Sequence, residues 1–467
     1  MSLAAVLMDH PAADGDDLLF TIDRTVTAGD ARREARRIAG SLTRIGIGRG
    51  QAVAVNLADG PSAVCTMIGV WLAGAVYIPL NPRAPEAERR RTVESTGAAA
   101  LVDGDGPRRL PGDRRYDPAV AVVLWTSGTT GPPKPIVHTH AAYAALVDRV
   151  LDALRPAGRQ RPPSPNLIPT SLALNAGFYN ALFGLRSGAS LVLMDRFDPV
   201  TFAALVHRHA VRSTVLPPAA MVALVDSADV TDLAPLRYVR SITAPLSPLQ
   251  GRRFADKFGV TVLNSYGQAE LGEVVGWTVA DAREHPEKLG AAGRPHPGVQ
   301  VKIVDDDDGR TAPSGTVGRL LVRSDEASDD LGDRVDGDGY VDTGDLARMD
   351  DDGFVWIEGR AGDVINRGGN KIFPDQVEEV LCLSPAVDDA AVVAVADERL
   401  GEVPVALVVA HPGRVPDAAA LERLCREHLA PYKVPVTFTV VDELARNDAG
   451  KLRRQELSRR SLPTRPA

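Results

Sequence analysis

The sequence predicts an α/β protein: a large N-terminal domain of helix-covered, mainly parallel sheets with a β-rich subdomain, then a small α+β C-terminal domain. Three observations carry this. Helical and strand patterns alternate through the first 270 residues, the strand style changes near Gly298, and a last α+β unit begins near Gly362. At 467 residues the chain is also longer than one hydrophobic core serves efficiently, so domains spanning 1–361 and 362–467 are expected.

Taken in order, Ala35, Ile38, Ala39, Leu42 and Ile45 fall on one helical face. A strand follows at 52–57 (AVAVNL), then a small-residue helix over 62–73 and a strand at 77–80 (YIPL). Further strands read at 190–194, 213–217, 238–244 and 260–267, with helical stretches between several of them. Such alternation lays strands parallel under helices, and ligands collect in the loops at their carboxyl ends. From residue 298, VQVKIVDDDDGR and GRLLVRS are alternating strands joined by acidic turns, the pattern of antiparallel structure. The run Asp305 to Asp308 reads as a solvated turn, because like charges face water. After Pro374, EEVLCL is helical, and AAVVAVA and VPVALVVA are strands.

Composition excludes several classes. Apolar residues are 44% and charged residues 24%, with no apolar run of membrane-spanning length. The N-terminus has no basic segment before its short apolar stretch, so a cytoplasmic location is expected. Cys65, Cys382 and Cys425 lack metal or redox spacing and read as small buried apolar residues. A net charge of −8 argues against a nucleic-acid partner.

The strongest chemical signal is TSGTTGPPKPIVHTH at 126–140, after the apolar strand AVAVVLW. The small residues Thr126, Ser127, Gly128, Thr129, Thr130 and Gly131 can turn backbone N–H groups toward phosphate oxygens, and Lys134 adds a charge. It is not a Walker A loop: the two glycines are too close together and Lys134 is followed by Pro135, which stiffens the exit and removes one donor. His138 and His140 read as structural.

Four more segments complete an ordered set: NSYGQAE (264–270), YVDTGDL (340–346), GRAGDVINRGGNKIFPDQVEEVL (359–381) and NDAGKLRRQEL (447–457). Together the five motifs resemble the adenylate-forming superfamily of acyl- and aryl-CoA ligases, non-ribosomal peptide synthetase adenylation domains and luciferases. The wording is nearest to acyl- and aryl-acid CoA ligases, and the resemblance spans nearly the whole chain. It implies ATP-dependent activation of a small carboxylic acid as acyl-AMP, with pyrophosphate release, then transfer to a thiol. The cofactors implied are ATP, Mg²⁺ and coenzyme A, with a carrier-protein phosphopantetheine acting in trans as the alternative acceptor. By the same resemblance, Asn264, Tyr266 and Gly267 hold the adenine against Ala244 and Pro245, Asp345 accepts the ribose hydroxyls and Arg360 contacts the ribose. Glu270 is the implied catalytic metal ligand, a carboxylate suited to a hard cation. Lys451 is the implied catalytic lysine, stabilising charge as the acid attacks the α-phosphorus. The small domain is implied to be mobile about Gly362, where the family commonly carries Asp or Lys. Its rotation brings Gly368 and Gly369 to the thiol.

The acyl pocket is expected from Leu174, Asn175, Phe178, Tyr179, Thr243, Ser265 and Val274. Asn175 counts to the position where amino-acid-activating members carry an ammonium-pairing aspartate. An amide supplies no full charge, so an aryl or medium acyl acid without a free α-amine is expected. Glu273 reads as a solvated helix-start residue, the alternative being a carboxylate near the pocket that pairs with a distal amine or guanidinium. The competing readings are a non-catalytic nucleotide-binding protein, which intact Lys134, Glu270, Asp345 and Lys451 disfavour, and a P-loop kinase, which the lysine spacing disfavours.

Overall fold

The computed structural model describes residues 2–125, 135–154, 163–244, 246–305, 309–325, 327, 329–446 and 451–461. The expected phosphate loop from Thr126 to Lys134, Pro245 and residues 447–450 lie outside the described residues.

The amphipathic helix is Ala28–Arg44, started by Thr27, whose side chain accepts the Asp30 N–H. Its buried face of Ala31, Ala35, Ile38 and Leu42 packs on helix Pro61–Leu72. Close approach needs Gly69, where a β-carbon would stand 2.8 Å from the Ala35 carbonyl oxygen. Ile45 caps the helix rather than extending it.

Beside this pair runs a six-stranded sheet in the order Gly106–Arg109, Ala100–Asp103, Ala52–Val55, Val76–Pro79, Val120–Trp125, Pro135–Thr139. Its four inner strands are parallel and both edges antiparallel. A four-stranded sheet combines Thr25–Thr27, Asp17–Phe20, Leu191–Leu193 and Asn166–Ile168. A further sheet sets Ser213–Leu216, Tyr238–Ser241 and Thr261–Gln268 in parallel, then continues antiparallel through Gly272–Gly276 and Arg294–Pro295. The strand expected at 238–244 ends at Ser241, because Thr243 turns the chain with φ +76°.

The change of style near Gly298 is real: Gln300–Val304, Gly318–Arg323, Val341–Met349 and Val355–Arg360 form a wholly antiparallel sheet. The C-terminal part builds its own sheet from Asn370–Ile372, Ile365–Arg367, Gly401–Ala410 and Val387–Asp397, with Thr437–Val441 added in parallel. Helices Pro374–Leu381 and Ala418–His428 contribute to its separate core around Val377, Val392, Ala406 and Cys425. No described helix is long and apolar enough to cross a membrane.

Candidate active site

Strand Thr261–Gln268 belongs to both halves of its sheet. It pairs in parallel with Tyr238–Ser241 up to Asn264, and antiparallel with Gly272–Gly276 from Ser265 onward. Between Tyr266 and Gly267 the register shifts. Here a β-carbon on Gly267 would stand 2.2 Å from the Gly272 carbonyl oxygen, so glycine is required.

From this strand two side chains reach the antiparallel sheet. The Tyr266 hydroxyl donates to Asp345 Oδ2 at 2.5 Å, and the Gln268 amide donates to the same oxygen at 3.0 Å and to the Thr343 carbonyl at 2.7 Å. Asp345 is buried, and Arg360, its register partner on the next strand, holds Oδ1 with Nε at 3.3 Å. Burial, then the Asp345 charge, pushes the Tyr266 phenol well above its ordinary range, so it stays a donor. The other end of Gln268 accepts Arg334 Nη2 at 2.7 Å, and Arg334 Nη1 stands 3.0 Å from Glu270 Oε1.

Lys451 comes to this place from the far end of the chain. Burial, and then Arg360, push its pKa below the ordinary lysine range, while the charges of Asp345 and Glu270 oppose the shift. Lys451, Glu270, Asp345 and Arg360 therefore share one electrostatic neighbourhood. The strands flanking the 126–134 segment also lead here: Trp125 pairs with Pro135, and His138 Nε2 lies 2.9 Å from the Ala269 carbonyl. His138 is buried with its ring edge-on to Tyr143, and His140 Nδ1 accepts the Leu3 N–H at 3.1 Å, so both are structural.

Around the expected acyl pocket, Asn175 opens helix Asn175–Arg186 with Leu174 as its half-buried N-cap, and Asn175 Oδ1 accepts the Tyr143 hydroxyl at 2.7 Å. Tyr179, one turn on, lies within the fields of Glu273, Arg240 and Arg149. Ser265 donates to the Ser241 carbonyl at 3.1 Å, and Asn264 Oδ1 turns back to the Ser265 N–H. Phe178 stands behind Tyr143, the residue that bonds Asn175. It is fully buried among Trp71, Tyr77 and Tyr143, with centroid distances of 6.1, 5.9 and 4.9 Å, because its helical position faces the core. Val274 is likewise fully buried, and Thr243 and Ala244 are half-buried beyond the strand end.

The reading of Glu273 as a solvated residue is corrected. It sits in strand Gly272–Gly276, paired with Arg240 and accepting His296 Nε2 at 2.9 Å. Burial alone would raise its pKa, but Arg240, the His296 bond and Arg149 more than offset this, so it is held below the ordinary carboxylate range. Sequence reasoning also missed Gln268, Arg334 and Arg454. Gln268 lies inside a motif and could have been taken with it, whereas Arg334, in an acidic and polar stretch, carries no spacing signal.

At the expected hinge, Gly362 is exposed, with open space where a β-carbon would go. Asp363, next to it, is 3.4 Å from Arg454 Nε, and Arg454 also pairs with Asp375 at 2.5 Å and with Glu378. Gly368 and Gly369 form the turn between Ile365–Arg367 and Asn370–Ile372, with φ +57° and +87°.

Known proteins resemble this chain in sequence and fold. The AMP-binding enzyme family model matches residues 4–115 and 108–328, and the model of the AMP-binding enzyme C-terminal domain matches 376–451. The chain is 31% identical to 4-coumarate–CoA ligase-like 9 of Oryza sativa subsp. japonica, over 93% of this chain and 87% of the relative. It is 29% identical to the sulfoacetate–CoA ligase of Cupriavidus necator, over 92% of each. Among solved structures, the amide bond synthetase McbA from Marinactinospora thermotolerans superposes with TM-score 0.85 at 29% identity, covering 98% of this chain and 99% of that one. The o-succinylbenzoate CoA synthetase MenE from Bacillus subtilis, in complex with its acyl-adenylate intermediate, gives 0.84 at 26% identity, covering 97% of each. With family models matching residues 4–328 and 376–451, and relatives that are acyl- and aryl-CoA ligases, the chain belongs to the AMP-binding enzymes, the adenylate-forming family.

Proposed function

We propose that this enzyme activates an aryl or medium acyl carboxylic acid as its acyl-AMP and then transfers the acyl group to the thiol of coenzyme A. The observation that carries the reading is that Lys451 lies within the electrostatic reach of Glu270, Asp345 and Arg360, residues at least 91 positions from it, around the hydrogen-bonded group of Tyr266, Gln268 and Asp345.

In the first half-reaction an already ionised carboxylate attacks the α-phosphorus, the bond to the β-phosphate oxygen breaks and pyrophosphate leaves. No general base is needed. Asp345 and Arg360 mark the ribose end, with Tyr266 and Asn264 toward the adenine. The Lys451 ammonium balances charge on the α-phosphate and the incoming carboxylate, where partial burial strengthens its field. Residues 126–134 are the expected cradle of the phosphates. Among the described residues no group of three His, Cys, Asp or Glu could hold a metal unaided. Mg²⁺ fits such a site, since it takes one or two carboxylates and completes its shell with phosphate oxygens and water. Glu270, a half-buried carboxylate, is the protein ligand proposed. When bound, Mg²⁺ neutralises charge on the leaving pyrophosphate.

The second half-reaction needs the acyl carbonyl opened to a thiol. We assign the division at 361/362, with the C-terminal unit turning about Gly362 and carrying Gly368–Gly369 to the thiol. The acid is assigned no α-ammonium because Asn175 brings no negative charge and its oxygen already accepts Tyr143. Glu273 does not stand ready for an amine either, being neutralised by Arg240. The experiment is a panel of aryl, acyl and α-amino acids scored by pyrophosphate release, then mass spectrometry with coenzyme A and with a phosphopantetheinylated carrier. Acid-dependent release with acyl-CoA as product is expected. An α-amino acid turned over faster than every other acid would refute the substrate class, and acylation of the carrier alone would refute the acceptor.

A further inference from the structure

The carboxylate expected to meet Mg²⁺ is held in this structure by a guanidinium. Arg334 ends the short segment Asp329–Arg334, which packs against strand Pro135–Thr139, the strand that leaves the expected phosphate loop. Its Nε donates to the Asp342 carbonyl at 3.0 Å, which fixes the plane of the group. The two terminal nitrogens then point at the site, Nη1 to Glu270 and Nη2 to Gln268. Gln268 divides the region in two: its amide nitrogen serves Asp345 at the ribose end, and its oxygen serves Arg334 at the other. The Arg334 side chain is 37% exposed, so a ligand can reach it.

From this geometry we propose that Arg334 is a further catalytic residue, which exchanges Glu270 for the β- and γ-phosphate oxygens of ATP and stabilises pyrophosphate as it leaves. The proposal rests on the adenylation reading above. As the acid's oxygen bonds to the α-phosphorus, the electron pair of the breaking P–O bond goes to pyrophosphate, and no proton moves. That charge arises at the end of the site where Arg334 stands, and Lys451 serves the α-phosphate end. A guanidinium fork matches two phosphate oxygens, and its carboxylate partner is released to the cation that arrives with the nucleotide. The Nε bond to the Asp342 carbonyl holds the guanidinium in place, so its two terminal nitrogens are oriented before the phosphate oxygens arrive.

The test compares wild type, Arg334→Ala and Arg334→Lys by calorimetric binding of magnesium pyrophosphate and of AMP, alongside pyrophosphate product inhibition and kcat. Loss of charge-assisted hydrogen bonds should weaken pyrophosphate binding in Arg334→Ala by about ten- to hundredfold, with AMP binding unchanged and an intermediate effect in Arg334→Lys. Unchanged pyrophosphate affinity in a variant that still binds AMP overturns the proposal. So does an equal loss of both ligands, the mark of a brace and nothing more. Because the binding measurements need no turnover, wild type that releases no pyrophosphate with any acid counts against the adenylation reading and leaves the Arg334 result separate.

Discussion

Lys451 and Glu270 draw their chemistry from where they sit. An isolated lysine beside a basic stretch is solvated, but this one is pushed down by burial and by Arg360 and held up by two carboxylates. Removing it takes away a positioned charge. Lys451→Ala should slow acyl-AMP formation by roughly 10²-fold or more while ATP still binds, as read by single-turnover pyrophosphate release. Near-wild-type adenylation by the folded variant would remove Lys451 from the mechanism. Asp345, Tyr266 and Gln268 are already bound to one another, so the end of the site proposed for the ribose is organised by the protein's own side chains.

At the level of elements, two short pieces of the C-terminal part are proposed to have separate duties. The Gly368–Gly369 turn needs positive φ at both positions, and a β-carbon on Gly369 would meet open space. Gly369→Trp therefore carries backbone strain of about 1–2 kcal/mol, which the turn can absorb. It should leave adenylation intact and block thioester formation, measured as acyl-AMP accumulating without acyl-CoA. Equal loss of both steps would refute the assignment of this turn to the thiol. Helix Arg454–Ser461 is pinned by Arg454, whose half-buried guanidinium faces Asp363, Asp375 and Glu378. Burial, then the Glu378 charge, pushes Asp375 up to about 7 even with Arg454 opposing them. Without the arginine three half-buried carboxylates are left facing one another uncompensated. Arg454→Ala should cost about 1–3 kcal/mol in urea unfolding, the scale of losing charge-assisted hydrogen bonds at half-buried groups. Because Lys451 lies three residues earlier, adenylation should fall with it; a shift in neither would show that the cluster is dispensable.

For the molecule as a whole, stability on the acid side depends in part on His140, which joins the N-terminal segment to helix His140–Leu154 through Leu3. Burial lowers its pKa from 6.5 to about 4. Between those values the unfolded chain takes up a proton that the native protein refuses, so stability rises with pH from about 4 to 6.5 and then levels off. His140→Gln should flatten that limb, seen as a smaller difference in denaturation midpoint between pH 5 and pH 8; an unchanged limb would place the titration elsewhere.

How much of this could be read in advance follows from range. Periodicity and turn chemistry are local, so the βα alternation, the switch to antiparallel strands and the separate C-terminal sheet were legible in the sequence. Motifs carried Glu270, Asp345, Arg360 and Lys451 because each sits in a recognisable string. What the sequence alone determined was thus the class of fold and the chemistry of the family. Only the tertiary structure decided that Arg334 meets Glu270, that Arg240 neutralises Glu273, that Phe178 belongs to the core and that Arg454 faces Asp363, Asp375 and Glu378. Each is a contact between side chains whose neighbourhood is set by how sheets and helices stack, and a charge or ring far along the chain leaves no periodic trace of its partner.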